Sequence, residues 1–233
     1  MGACKVLDIQ FEFQGAADHI YPVLLLNESD AVLVDCGYPG FMGLIESAMK
    51  RHGVSAADLT KIVLTHQDDD HMGAASEFVG KYPHIQIAAS AVEAPYISGA
   101  KKNLRLEQAE RMQKDLPESQ QEFGRQFCER LRKVQPVAVD LPLHGGDRFD
   151  WGGGCEIVST PGHTPGHISL LLRDTRTVIT GDAAVIEDNH LSVANPQFCL
   201  DLALAERSLE QIREMGCKRC ICYHGGVLHP ATE

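Results

Sequence analysis

Five short apolar runs in this chain end in residues that bind metals or move protons, and this repetition limits the possible folds more than any other feature. Val32-Leu33-Val34 runs into Asp35, and Ile62-Val63-Leu64 into Thr65-His66-Gln67-Asp68-Asp69-Asp70-His71. Ile157-Val158 leads to Thr160-Pro161-Gly162-His163, Val178-Ile179 to Thr180-Gly181-Asp182, and Cys220-Ile221-Cys222 to Tyr223-His224-Gly225-Gly226. Apolar runs of this length, rich in β-branched residues, read as buried strands. In an α/β sheet such strand ends converge on one edge, where ligands bind. The glycines beside the polar residues permit the tight turns that bring side chains of different strands to one point.

The densest of these stretches, His66 to His71, carries two imidazoles and three carboxylates in six positions. Charges packed this closely after a buried run repel one another unless a cation sits among them. His and Asp are common nitrogen and oxygen ligands of divalent ions. The competing reading is a polar loop with an acidic helix start, in which Asp68 or Asp70 caps the helix.

Strands are expected at 6–13, 21–26 and 31–34, opening a β-meander, and a helix at 41–52 with Leu44, Ile45, Ala48 and Met49 on its spacing. A strand at 61–65, a helix at 71–82 stopped by Pro83 and a strand at 85–88 continue an α/β alternation. Residues 99–135 break that rhythm with charge-laced helical patterns at 104–115 and 118–134, around Pro117. They read as a helical insertion: a lid, a surface for partner contact, or a pair covering a sheet face. Strands resume at 156–159, 168–172, 177–180 and 219–223, with a helix at 200–215 whose inner side carries Leu202, Leu209 and Ile212.

Without a Pro/Ser-rich linker or a repeat, the 233 residues are expected to form one domain, 1–233, with the insertion inside it. The net charge of −11 disfavours nucleic acid and anionic membranes as partners. The stretch Met1 to Val6 lacks a basic segment leading into an apolar core, and no apolar run reaches membrane-spanning length. A cytoplasmic location is the expectation. The eight scattered cysteines suit a reducing compartment. Cys217 and Cys220 have zinc-knuckle spacing without a second pair, so buried core thiols are expected. Gly-x-Ser-x-Gly is absent, which removes support for a serine-triad hydrolase.

In this order, the motifs resemble those of the metallo-β-lactamase-fold hydrolases, whose signature begins His-x-His-x-Asp-His. Residues 160–167, Thr-Pro-Gly-His-Thr-Pro-Gly-His, are similar to the third motif of glyoxalase II and lactonase-like members. Gly181-Asp182 resembles the bridging-aspartate motif, and Tyr223-His224-Gly225-Gly226 the last histidine motif. The resemblance runs from Asp35 to His224. It implies an αβ/βα four-layer sandwich with a two-metal site at one edge. By position, His66, Asp68 and His163 would hold the first ion and Asp70, His71 and His224 the second. Asp182 would bridge the two, and Asp35 would orient a ligand by hydrogen bonding.

The departure is Asp68, where the family usually has His. A carboxylate there is similar to the glutamate of the flavodiiron relatives and makes the first site harder. Zinc remains the first expectation, with iron or manganese opened by Asp68. Two divalent ions against three carboxylates and a hydroxide sum to about zero, where the usual ligand set leaves about one positive charge. The shorter reach of Asp also allows only one ion to be well held. The implied chemistry is hydrolysis of a small ester, lactone or thioester by a hydroxide between two ions, with Asp70 ligating and taking a proton. The alternative is a non-haem di-iron redox protein lacking the flavin domain. A small-molecule substrate is expected, and a homodimer is compatible with the sequence. Of the other histidines, His167 stands near His163 and His190 follows the Asp182 strand. For both, a structural or surface role is set against one in the cleft.

Overall fold

The structure is a computed structural model describing residues 2–13 and 15–230. Its strands and helices in chain order begin with β1 (Ala3–Val6), β2 (Ile9–Phe13), β3 (Ala16–Ile20), β4 (Val23–Leu26), β5 (Ala31–Val34), α1 (Met42–Arg51), β6 (Lys61–Leu64), α2 (Asp69–Met72), α3 (Ala75–Lys81) and β7 (Gln86–Ser90). There follow α4 (Ala94–Ile97), α5 (Leu104–Asp115), α6 (Gln121–Arg132), β8 (Leu141–Leu143), β9 (Arg148–Phe149), β10 (Cys155–Ser159), β11 (Ile168–Leu172) and β12 (Thr177–Ile179). The last are β13 (Val185–Glu187), β14 (His190–Ser192), α7 (Leu202–Glu214), β15 (Arg219–Cys222) and β16 (Gly226–Leu228).

Two six-stranded sheets, ordered β1-β4-β5-β6-β7-β8 and β16-β15-β12-β11-β10-β9, form the middle layers. Strands β5 to β8 run parallel in the first, and β12 and β15 run parallel in the second. Strands buried on both faces lose the polar alternation of half-exposed ones. Here one set of side chains, Val32, Val34, Val63 and Ala88, meets Ile157, Leu170, Ile179 and Ile221 between the sheets. The other set, Leu33, Ile62, Leu64 and Ile87, packs with Ile45, Met49 and Phe78 of the helices on the outer face. The second sheet's outer face, with Val178, Cys220 and Cys222, carries Leu209 and Ile212 of α7. This is the αβ/βα four-layer sandwich. Cys220 and Cys222 are thus core thiols under a helix, and all eight cysteines are free.

Several boundaries differ from the sequence expectation. The 6–13 run divides into β1 and β2, and β1 pairs with β4 in place of a simple meander. The β2–β3 hairpin lies between them in sequence; β3 was hidden because Ala16, Ala17 and Asp18 are exposed and lack alternation. The single helix expected at 71–82 is two, α2 and α3. A Cβ on Gly73 would collide with the Asp69 carbonyl oxygen and with Pro39, so only a glycine lets the chain pass there. Leu202, expected on the inner side of its helix, is exposed, as is Leu44 of α1; Ala205, Leu209 and Ile212 form the buried side of α7. Among the described residues no helix is long and apolar enough to cross a membrane.

Phe78 is the largest fully buried side chain of the helix–sheet layer. Phe78→Ala should lower unfolding stability by about 3–5 kcal/mol, through lost burial and the cavity left behind. Urea denaturation followed by circular dichroism measures it.

Candidate metal centre

The loop after β6 folds around the Asp35 carboxylate. Asp35 adopts a left-handed backbone (φ 59°) and is buried. Its Oδ1 accepts from the Thr65 N–H at 2.8 Å, and its Oδ2 from the Thr65 hydroxyl at 2.8 Å. Oδ2 also receives His71 Nδ1–H at 2.8 Å. With its proton on Nδ1, His71 turns the lone pair of Nε2 toward two carboxylates, Asp182 Oδ1 at 3.2 Å and Asp70 Oδ2 at 3.6 Å. Burial works against a charged His71, yet Asp182, Asp70 and Asp35 together raise its pKa well above the usual value. A spot that demands a proton so strongly demands a cation. The Tyr223 ring lies 4.0 Å from the His71 ring, and its hydroxyl donates to the Asp70 carbonyl at 2.6 Å.

Asp182 is fixed from the second sheet. Its N–H donates to His167 Nε2 at 3.0 Å, while His167 Nδ1 bonds the Thr160 hydroxyl at 2.9 Å. Burial, with His66 and His163 nearby, holds the His167 pKa well below the usual value, so its Nε2 stays free to accept. Gly181 (φ 52°) allows this approach, since a Cβ there would lie 2.8 Å from His167 Nε2 and 2.9 Å from the Thr65 hydroxyl. His167 is therefore a support beneath the centre. His190 is exposed and lines none of it.

All seven residues singled out in the sequence meet here. In one group, His66 Nε2 lies 3.4 Å from Asp68 Oδ2, Asp68 Oδ2 3.1 Å from His163 Nε2, and His163 Nε2 3.4 Å from Asp182 Oδ2. In the other, Asp70 Oδ2 lies 3.0 Å from His224 Nε2, and Asp182 Oδ1 lies 3.2 Å from His71 Nε2 and 3.7 Å from His224 Nε2. Four ligands at about 2.0–2.2 Å from a tetrahedral ion stand about 3.3–3.6 Å apart, so both groups have metal-cage dimensions. Asp182 gives one oxygen to each. Four buried atoms of the cluster, His66 Nε2, Asp68 Oδ1, His71 Nε2 and Asp182 Oδ1, have no hydrogen-bond partner. Buried polar atoms are rarely left so. The residues fit a divalent ion. The stretch does start a short helix, with Asp68 at the N-cap position of α2 and Asp69 and Asp70 in its first turn, but the Asp68 side chain makes no capping hydrogen bond.

The two groups differ in one respect that the motifs do not show. Arg105, from α5, is buried against the first group. Its Nε and Nη2 donate to Asp68 Oδ2 at 3.0 and 2.7 Å, and Nη2 also donates to His163 Nε2 at 3.0 Å. Burial alone would raise the Asp68 pKa, but Arg105 and then His66 hold it well below the carboxylate range. Asp69 takes a second arginine, with Arg130 Nε donating at 2.8 Å. Burial and the neighbouring Asp70 nevertheless push Asp69 up to about 7.

A cavity of about 490 Å³ opens beside the cluster. Asp68, Asp70, His163, Asp182 and His224 form its floor, and Phe13, Tyr38, Phe123, Phe127 and Phe198 its aromatic walls. Arg105 of α5 and Phe123, Gln126, Phe127 and Arg130 of α6 line this cavity, so the 99–135 segment reaches the site. Sequence reading missed Arg105, Arg130 and Glu93. Buried Glu93 accepts from Gln67 Nε2 at 3.0 Å and from the Gly166 N–H at 2.8 Å, tying together the two histidine loops. An Arg beginning a charge-laced helix carries no local sign of burial. The one signal was Asn103, three residues before Leu106, as an N-cap fixing where α5 starts.

The sequence profile of the Metallo-beta-lactamase superfamily matches residues 17–224. The chain is 29% identical over 168 residues to the "Probable metallo-hydrolase YflN" of Bacillus subtilis, covering 72% of this chain and 61% of that protein. It therefore spans less than two thirds of that relative's length. A shorter stretch of 51 residues is 43% identical to the hydroxyacylglutathione hydrolase of Brucella ovis, 22% of this chain and 20% of that one. Among solved structures, a metallo-beta-lactamase family protein of Thermus thermophilus superimposes with a TM-score of 0.74 at 21% identity, over 97% of this chain and 75% of that one.

Asp35 sets the tautomer of His71, so Asp35→Ala should weaken divalent-ion binding by about 10–100-fold. Competition with a chromophoric chelator measures the shift.

Proposed function

The chain belongs to the metallo-β-lactamase superfamily, and we propose that it is a metal-dependent hydrolase of a small ester, lactone or thioester. The observation that carries this reading is the convergence of seven imidazoles and carboxylates, with Asp182 shared between two groups and five of the seven on the floor of an aromatic cavity. A divalent ion bound there polarises a carbonyl and lowers the pKa of water; zinc is the first expectation, with manganese or iron also suited to the mixed nitrogen and oxygen donors.

The protein's own groups supply the rest. Asp70 lines the cavity, and its carboxylate would accept the proton released by the attacking water. Asp35 and His167 hold His71 and Asp182 in register, so no reorganisation is needed when the carbonyl arrives. The aromatic walls take an apolar acyl or alkyl group and exclude bulk water from it. The name of the Brucella relative supports a thioester as one member of the class. Arg105 already answers the Asp68 charge that suggested iron, which supports hydrolysis over the di-iron redox alternative.

The test is turnover of a p-nitrophenyl ester, a lactone and an acyl thioester before and after chelation. Activity should vanish in metal-free protein and return with zinc, manganese or ferrous iron; undiminished turnover without metal would sink the reading. Asp70→Asn should lower kcat by about 10²–10⁴-fold. Phe127→Ala should raise KM for apolar acyl esters by about tenfold and leave acetyl esters little changed.

A further inference from the structure

We propose that Arg105 is a built-in cation closing the His66–Asp68–His163 half of the centre, so that the protein works with a single tightly held ion in the Asp70–His71–Asp182–His224 half. The proposal rests on the reading of the centre as a metal site and goes beyond it, to the number of ions and to the residue that fixes that number.

The guanidinium has five N–H donors, and every one is engaged. Nε and Nη2 reach Asp68 Oδ2, and Nη2 also reaches His163 Nε2. Nη1 donates to Gln108 Oε1 and to the Phe198 carbonyl. A side chain that merely drifted over an acidic loop would leave donors to solvent; Arg105 is 3% exposed. Two of the three side chains of this half therefore offer their ligand atoms to an arginine. Arg105 Nη2 stands 3.0 Å from His163 Nε2, in the space that an ion bound to that nitrogen would need, and arginine stays protonated.

The ligand loop itself sets this placement. Gln67, between His66 and Asp68, accepts the Leu104 N–H on its Oε1 at 2.7 Å. Its carbonyl accepts Asn103 Nδ2–H at 2.9 Å, and Asn103 Oδ1 caps α5 through the Leu106 N–H at 2.9 Å. The start of α5 is thus tied to the loop at Asn103 and Leu104, directly before Arg105, which fixes where the guanidinium enters the centre.

Charge gives the same answer. Arg105 balances Asp68, and the two carboxylates left, Asp70 and Asp182, balance one divalent ion. Among the described residues, no Lys or Arg side chain hydrogen-bonds to Asp70, His71, Asp182 or His224. His71 Nε2 and Asp182 Oδ1, both without partners, belong to that half. His66 Nε2 and Asp68 Oδ1 are also unpartnered, so a second ion can enter the first half, but only by displacing the guanidinium and against its charge.

The experiment is metal titration with elemental analysis after equilibrium dialysis against zinc, repeated with manganese and read by electron paramagnetic resonance. The wild-type protein should hold one ion per chain, a second binding at least about 100-fold more weakly, and its manganese spectrum should be that of isolated ions. Arg105→Gln should bring the second ion to within about tenfold of the first and give an exchange-coupled pair. Arg105→Lys, which keeps the charge, should remain at one. Two comparably tight ions in the wild type, or one in Arg105→Gln, would overturn the proposal while leaving the hydrolase reading intact. No bound ion in the wild type would overturn both. Should Arg105→Gln fail to fold, the wild-type stoichiometry alone decides.

Discussion

Five carboxylates stand close together at the ends of buried strands, and the molecule is arranged around their neutralisation. Removing a carboxylate from water costs several kcal/mol unless opposite charge and hydrogen bonds replace the solvent. Asp35 is met by Thr65 and His71, Asp68 by Arg105, and Asp69 by Arg130. Asp70 and Asp182 are met by imidazoles alone. Positive charge is therefore supplied unevenly, and the deficit falls where the cluster's dimensions fit an ion.

The sandwich makes such crowding tolerable by separating support from function. The apolar layers between and outside the sheets fix where the strands end. The polar residues at those ends are then held by groups one step further out. His167 holds the Asp182 backbone, Glu93 links the loops bearing Gln67 and Gly166, and Tyr223 holds the Asp70 carbonyl. None of these is a candidate ligand, yet each removes a freedom that would let like charges spread apart.

Much of this was legible in the sequence because it is local. Apolar runs such as Ala31–Val34 and Lys61–Leu64 coincide with strands, and the residues directly after them are among the ones that converge. Short range also explains the failures. Nothing near Ala74 signals that its N–H will bond the distant Gly37 carbonyl in place of the helix, so one helix was expected where two exist. Exposed β3 has no alternation to read. Arg105 lies 37 residues from Asp68, in a helix whose charges resemble a solvated face. Its partner could be named only once α5 had been placed. Asp68 itself was visible as a departure, but the charge that balances it was not.

Asp68 and Arg105 make physical sense only together. A neutral imidazole at position 68 could share an ion, but it offers no charge to a buried guanidinium, and an unpaired buried arginine would be strongly destabilising. A carboxylate there without Arg105 would add a third negative charge to Asp70 and Asp182. Arg105 comes from α5, and α6, packed against α5, brings Phe123, Phe127 and Arg130 to the cavity wall. The helical pair therefore bears both on the charge of the first half and on the shape offered to a substrate.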